Sequence, residues 1–383
     1  MKQFWLLTKW EYKKLLRRKI VWITLGIMSV LCVFSSVGGL FGSYYIEGER
    51  VMSHWEMLKQ DQKAAGKYEG RKIDQSLLDD LNQAASEDEN SVPTDLETFV
   101  MNITRDDSFD ISEEKLYQTR KDKMESLWTE LFLTEGEKEY LRDLNERLEI
   151  PLTYHYFEGY QNMTELMYTM AFMQVLLIAV CVPAIFSDEH TRRMAPLLQA
   201  SRFGKGLLYG AKIFAGLSFS LVGTVFLCLL QTVPTFCIYG VEGFGASIQL
   251  QDTNASWLLT IGQVILILFG ICLVLSLFHG MCAMLLGDLA RNSLIPMAVM
   301  TGFLLFSALF NVPQQYRILS QIWDCIPANL QAYWGAFGNY MIPVAGHYLK
   351  TWQAVPVIYL MVTIVLFVIG RRIYCRYQVT KGR

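Results

Sequence analysis

The stretch 186–216 reads FSDEHTRRMAPLLQASRFGKGLLYGAKIFAG. It is polar at its centre and lies between two long apolar runs. Asp188 and Glu189 open it, Arg192, Arg193, Arg202 and Lys205 follow, and Leu197 and Leu198 separate the two basic groups. A charged segment this short, held between runs long enough to cross a hydrocarbon core of about 30 Å, belongs at a membrane surface.

Of the 383 residues, 52% are hydrophobic and 18% are charged. That is too apolar for an ordinary soluble domain and too charged for a chain lying wholly in lipid, so spans plus one soluble insertion are expected. The charges are segregated along the chain, so the net charge of -2 identifies no partner, and no nucleic-acid partner is expected. The eight cysteines form no Cys-x-x-Cys pair, which leaves no basis for a zinc or redox motif. Cys237 and Cys325 are either a pair on the outer face or two buried thiols that pack as small apolar residues, the second being the simpler reading.

Toward the N-terminus, 166–187 is read as the second span, with Pro183 as a kink near its inner end. Before it, 46–165 is soluble and helical, with acidic residues outnumbering basic ones about two to one. Leu77, Leu78 and Leu81, then Leu127, Leu131 and Phe132, then Tyr140, Leu141, Leu144 and Leu148 recur at helical spacing. Thr134 and Glu137 have the spacing of a capping box. Residues 20–45 form the first span. Residues 1–19 read as an interfacial helix, with Phe4, Trp5, Tyr12, Leu15 and Leu16 on one side and Lys2, Lys9, Lys13 and Arg17 on the other, a pattern that lies flat on anionic headgroups.

Toward the C-terminus, spans are expected at 207–233, 257–287, 293–312 and 353–370. The loop 234–256 carries no Lys or Arg. Segment 313–352 is amphipathic and aromatic but too broken to cross twice. It reads equally as a re-entrant or interfacial pair of short helices and as an aromatic belt. The tail 371–383 is basic. Basic residues therefore gather at the N-terminus, at 188–206, at Arg291 and in the tail. The positive-inside rule then gives six spans with both termini cytoplasmic and the 46–165 domain outside. The expected fold is an all-α, multi-pass cell-membrane protein with an N-terminal interfacial helix and a helical extracytoplasmic domain between spans 1 and 2.

Ionisable groups inside spans suggest function by default, because burying them in lipid is costly. Lys212 lies about a turn inside the third span, where snorkelling to the headgroups is expected. His279 is read as a neutral packing residue in preference to a proton carrier. Gln174, Gln231 and Gln263 are read as helix-to-helix hydrogen bonders. No Walker loop, zinc-protease motif or nucleophile elbow occurs, and Gly204 and Lys205 lack the flanking glycine and hydroxyl of a phosphate-binding loop. The chain is expected not to be an enzyme and to hold no cofactor.

This layout resembles the permease subunits of type-2 ABC exporters. The basic N-terminal helix with Glu11, Tyr12, Lys13 and Lys14 is similar to the family's connecting helix. Asp188, Glu189, Arg192, Arg193, Leu197, Leu198, Ser201, Arg202 and Lys212 look like its pattern of span, short coupling helix and span. The broken segment between spans five and six is similar to its re-entrant helices, and YHYFEGY at 154–160 resembles Gram-positive members with a large outer insertion. The resemblance implies two permease chains, identical or different, and separate cytoplasmic ATPase subunits that bind ATP and push on 188–205. Asp188, Glu189, Arg192, Arg193, Leu197, Leu198, Arg202 and Lys205 would meet the ATPase. The cargo would be an amphiphile such as a lipid, peptide or antibiotic. A membrane sensor with an extracytoplasmic ligand domain is the alternative, and an ion-coupled carrier a weaker one.

Overall fold

The computed structural model describes residues 2–46, 49–87, 91–106, 109–201, 203–344 and 347–376. The described chain is mostly helical, and five of its helical segments are long and apolar enough to cross a membrane. These are Lys19–Phe41, Glu158–Thr191, Gly206–Tyr239, Ile261–Ala290 and Thr351–Arg376. Helix α1 (Lys2–Leu16) precedes α2 (Lys19–Val37), and a 3-10 turn (Gly38–Phe41) ends the first run. The expected span to residue 45 is therefore too long. Gly38, Gly39 and Gly42 loosen the helix end, and the chain passes into strand β1 (Ser43–Ile46), which pairs antiparallel with β2 (Glu49–Ser53).

The helical domain between the first two apolar runs, the outer domain of the expected topology, holds α3 (His54–Tyr68), α4 (Gln75–Glu87), α5 (Thr94–Thr104), α6 (Glu113–Glu130) and α7 (Glu135–Glu146). Of the apolar positions at helical spacing, Leu77, Leu78 and Leu81 of α4, Leu131 after α6, and Leu141 and Leu144 of α7 are buried in its core. Leu127, Tyr140 and Leu148 are half-buried, and Phe132, in a left-handed turn after α6, is 58% exposed. Leu96 and Phe99 of α5 and Leu116 and Trp128 of α6, which the spacing did not pick out, complete the core. The Thr134–Glu137 capping box opens α7, and a second box, Ser53 with Glu56, opens α3. After α7 the chain returns along 70–73, where Ile73 N donates to Leu152 O and Tyr154 N to Arg71 O.

Helix α8 (Glu158–Cys181) starts eight residues before the expected span and is the most enclosed of the apolar helices. It packs against α2, α11 (Gly206–Tyr239), α13 (Ile261–Ala290) and α14 (Leu294–Leu309). Pro183 breaks the helix before α9 (Ala184–Thr191). At Gly287 an added Cβ would lie 2.6 Å from the Pro183 carbonyl oxygen, so α13 passes this break closely only because Gly287 has no side chain. Helix α11 does not stop at residue 233. Pro234 sits inside it, forfeiting one ladder bond, while Thr235 Oγ1 donates back to Gln231 O at 2.8 Å. Helix α13 begins at Ile261, not at residue 257. The Trp257 side chain is buried, and its Nε1 donates to Phe337 O at 2.7 Å.

Helix α14 has 16 residues, about 24 Å of helix and short of a full hydrocarbon core. After α14, 313–352 is not a pair of short helices. It holds α15 (Arg317–Asp324), α16 (Pro327–Leu330), α17 (Tyr333–Phe337) and a hairpin of β3 (Met341–Val344) with β4 (His347–Lys350). Two small hairpins thus qualify the all-α reading. Helix α18 (Thr351–Arg376) takes in Arg371, Arg372 and Arg376, which the sequence placed in a tail. Lys381 and Arg383 lie outside the described residues.

The bundle has two distinct ends. At one, His190 Nε2 is 3.1 Å from Asp288 Oδ1, and Tyr374 Oη of α18 donates to Gly204 O. At the other, buried Arg120 of α6 donates to the carbonyls of Thr253 and Ala255, and Arg317 of α15 donates to both carboxylate oxygens of Glu137. The outer domain is therefore tied to the loops between the apolar helices. A short helix, α12 (Ile248–Gln251), completes this end.

The outer domain also carries a buried acid. Asp95 is 8% exposed, and both its oxygens accept from the Tyr154 hydroxyl at 2.8 and 2.9 Å. Burial raises its carboxyl from 3.8 to about 7, against the Tyr154 bond and with help from nearby Asp61 and Glu158. The native state then holds a proton that the unfolded chain has released. That contribution is present in full below about pH 4 and is lost as pH rises through about 7. Unfolding midpoints of the full chain in neutral detergent should fall by several degrees between pH 5 and pH 8. Asp95→Asn should flatten that fall, whereas an unchanged slope contradicts the assignment.

Candidate functional site

The end of the bundle that holds the 186–216 stretch contains a four-residue ionic cluster, three members of which are buried and the fourth, Lys14, half-exposed. Its first contributor is α1. Thr8, Glu11 and Leu15 recur at i, i+3 and i+7 and face inward. Of the expected apolar side, Phe4 and Trp5 pack on Phe214 of α11, Tyr12 bonds Ser218 and Leu15 is buried. Glu11, which is 3% exposed, is turned toward α11 with them. Arg18 then takes an extended conformation, which separates α1 from α2.

The second contributor is α9, set off from α8 by Pro183. One turn after Ile185 it presents Glu189, which is 6% exposed. The third is α11, which supplies Lys212 at 0% exposure. Lys212 Nζ is 2.7 Å from Glu189 Oε1, 2.6 Å from Ile185 O and 3.5 Å from Glu11 Oε2. Lys14 Nζ closes the set at 2.9 Å from the same Glu189 oxygen and 2.7 Å from Glu11 Oε1. Two carboxylates and two ammonium groups balance in charge. Burial opposes the Lys14 ammonium, but Glu11 and Glu189 beside it hold its pKa above the usual lysine value. At the edge, Arg18 approaches Asp188 at 3.6 Å.

Two expectations are corrected here. Glu189 is no part of an exposed docking surface; it faces inward and bridges two lysines. Lys212 does not snorkel to the headgroups, because a buried carboxylate and a carbonyl already satisfy its ammonium. The sequence carried a signal for this pairing that spacing within one helix cannot show. Glu11, Glu189 and Lys212 are the charged residues that fall at inward positions of these three helices.

Beyond α9 the chain reaches the surface. Arg193 adopts a left-handed conformation (φ 57°), and α10 (Ala195–Ala200) follows with Pro196 in its first turn. Arg192, Arg193 and Lys205 are exposed, Leu197 is 80% exposed, and Leu198 is half-buried. Met194, exposed beside them, was not singled out in the sequence. Arg202 lies outside the described residues. Lys13 is exposed and its ammonium sits 4.8 Å from the Trp10 ring centre. The short helix is thus an uncharged, leucine-centred element flanked by the exposed Arg192, Arg193 and Lys205, slung between α9 and α11, whose near ends Glu189 and Lys212 join.

The other intramembrane polar residues divide. Gln174 Nε2 donates to Cys272 O at 2.8 Å, joining α8 to α13. Gln231 Nε2 reaches Ser35 Oγ and Leu166 O, and Ser36 Oγ donates to Gln231 O, so Gln231 joins α11 to α2 and α8. Gln263 joins no pair of helices. It is exposed and forms the capping box of α13 with Thr260, because the helix starts later than expected. His279 is buried against Phe278, and its Nδ1 has no partner among the described residues. Cys325 and Cys237 are both free thiols, and Cys237 is exposed.

No family model, curated protein or solved structure matches this chain.

Removing one member of a buried ion pair leaves the other uncompensated, at a cost of about 3–5 kcal/mol. Glu189→Gln and Lys212→Met should each destabilise the chain by an amount of that order. The double variant should cost clearly less than the sum of the two, as read from detergent unfolding of all four proteins. Additive losses would show that the two residues are not coupled.

Proposed function

We propose that this chain is the membrane subunit of an ATP-driven exporter of the type-2 ABC class, receiving work from separate ATPase subunits at α10. One observation carries this reading. A leucine-centred short helix, flanked by exposed basic residues, is braced through Glu189, Lys212, Glu11 and Lys14 to the surface helix α1, to α9 and to the long apolar helix α11. A helix that served only to mark topology needs positive charge but no buried brace behind it. The brace suits a part that must pass a push on without deforming.

The reading includes six crossings with both termini cytoplasmic. Supporting this, α14 begins beside the Asp288–His190 contact and leads to Arg317, which bonds the outer domain. It therefore runs between the two ends of the bundle despite its 16 residues. The basic residues of α1, Arg192, Arg193, Lys205, Arg291, Arg371, Arg372 and Arg376 share the end that we assign to the cytoplasm. A second permease chain, identical or different, would complete the pathway, and an amphiphile is the proposed cargo.

The purified chain should hydrolyse no ATP, and an ATPase should co-purify with it from native membranes. Leu197→Asp places a charge at the centre of the exposed face without touching the brace. It should abolish ATPase co-purification while leaving membrane insertion and thermal stability unchanged. If the partner is retained in full, α10 is not the docking element.

A further inference from the structure

The opposite end of the bundle contains a cavity of about 1000 Å³. Its walls come from α6, α8, the turn after α12, the end of α14 and α15 to α17. Asp252 and Asp324 line it, together with Trp323, Tyr333, Trp334 and Tyr340, and with six Asn and Gln side chains. No Lys, Arg or His lies in the described lining.

The two acids are not equivalent. Asp252 accepts from the Tyr333 hydroxyl and from Asn254 N, both at 3.0 Å, and Arg120 lies close behind it with Nε and Nη2 committed to Thr253 O and Ala255 O. Asp324 makes no ion pair among the described residues. Burial pushes its carboxyl up to about 6. The Tyr340 hydroxyl, on a residue 5% exposed that lines the cavity, has the Ser320 side chain of the same wall beside it. A second, apolar cavity of about 300 Å³, walled by Phe278, Phe303, Tyr359 and His279, shares Ser307 with the first.

We infer that the outer cavity binds an organic cation, an ammonium or guanidinium group carrying an apolar body, with Asp324 as its counter-charge. Aromatic faces attract such cations through their quadrupoles, and the gain grows once water is excluded. The volume lies at the upper end of the range of small-molecule sites, which leaves room for more than a bare ion. Tyr340 and the amide side chains offer the polar atoms that orient the head, and the neighbouring apolar cavity receives the body. This binding site is independent of α10 and of any ATPase, so it stands or falls apart from the transport reading.

The test uses the full chain, purified in a neutral maltoside detergent, and dansylcadaverine as a fluorescent primary ammonium. A dansyl compound of similar length ending in a carboxylate is the comparison. Saturable binding of the ammonium should be at least about tenfold tighter than that of the carboxylate. Asp324→Asn should remove that preference, Asp324→Glu should keep most of it, and Trp334→Leu should weaken the ammonium about threefold or more. Displacement by hexylammonium marks a free solute as the natural ligand, and displacement by phosphatidylethanolamine alone marks a lipid headgroup; either supports an ammonium site. Equal binding of the two dyes, failure of both competitors, or undiminished preference in a folded Asp324→Asn protein overturns the inference.

Discussion

The Lys212 ammonium is the constraint on which this end of the molecule is built. A lysine with no exposed surface must have its charge and its donors satisfied by protein. Here the Glu189 carboxylate, the Ile185 carbonyl and Glu11 do so. Satisfying one side chain thus fixes the relative position of three elements. Helix α9 must end where Glu189 can reach Lys212, which the Pro183 break allows. Helix α1 must lie along α11 with Glu11 inward. Lys14 then neutralises the second carboxylate. Buried ion pairs add little net stability compared with apolar packing, but they tolerate few alternative arrangements. A part that transmits displacement needs such definition of geometry more than added stability.

The same logic, with different chemistry, holds the far end together. Arg120 and Arg317 spend their donors on carbonyls and on Glu137, so the outer domain is fastened to the loops of the apolar bundle. Between the two ends, Gln174 and Gln231 bond across helices where no water competes. The outer cavity, with an acid that nothing in the described chain neutralises, lies where the domain meets those loops. The proposed exporter therefore has a charge-balanced end for receiving force and an unbalanced end for receiving a cation.

Much of this was legible in the sequence, and what was missed shares a physical cause. The long apolar runs, the Pro183 break, the Thr134–Glu137 cap and the core leucines of α4 and α7 are local signals and read correctly. Helix ends shifted where tertiary contacts outweighed local punctuation, as at Pro234, which α11 absorbs, and at Trp257, which leaves α13 to bond Phe337. The hairpins β1/β2 and β3/β4 are too short for a clear alternation. Glu189 and Lys212 misled because each, taken alone, suits an interface. Only their pairing, 23 positions apart and reinforced from α1, explains why both are buried. Gln263 looked like an intramembrane residue because its cap at Thr260 was hidden within an apolar run.

The central claim is that α1, α9, α10 and α11 move as one piece when an ATPase closes. Spin labels at Lys13→Cys and Leu197→Cys, with exposed native thiols replaced, test it by pulsed electron resonance on the complex with its ATPase. One narrow distance, the same with and without ATP, is expected. A distance that shifts or splits on ATP binding would mean that α10 moves independently of α1, which contradicts the account.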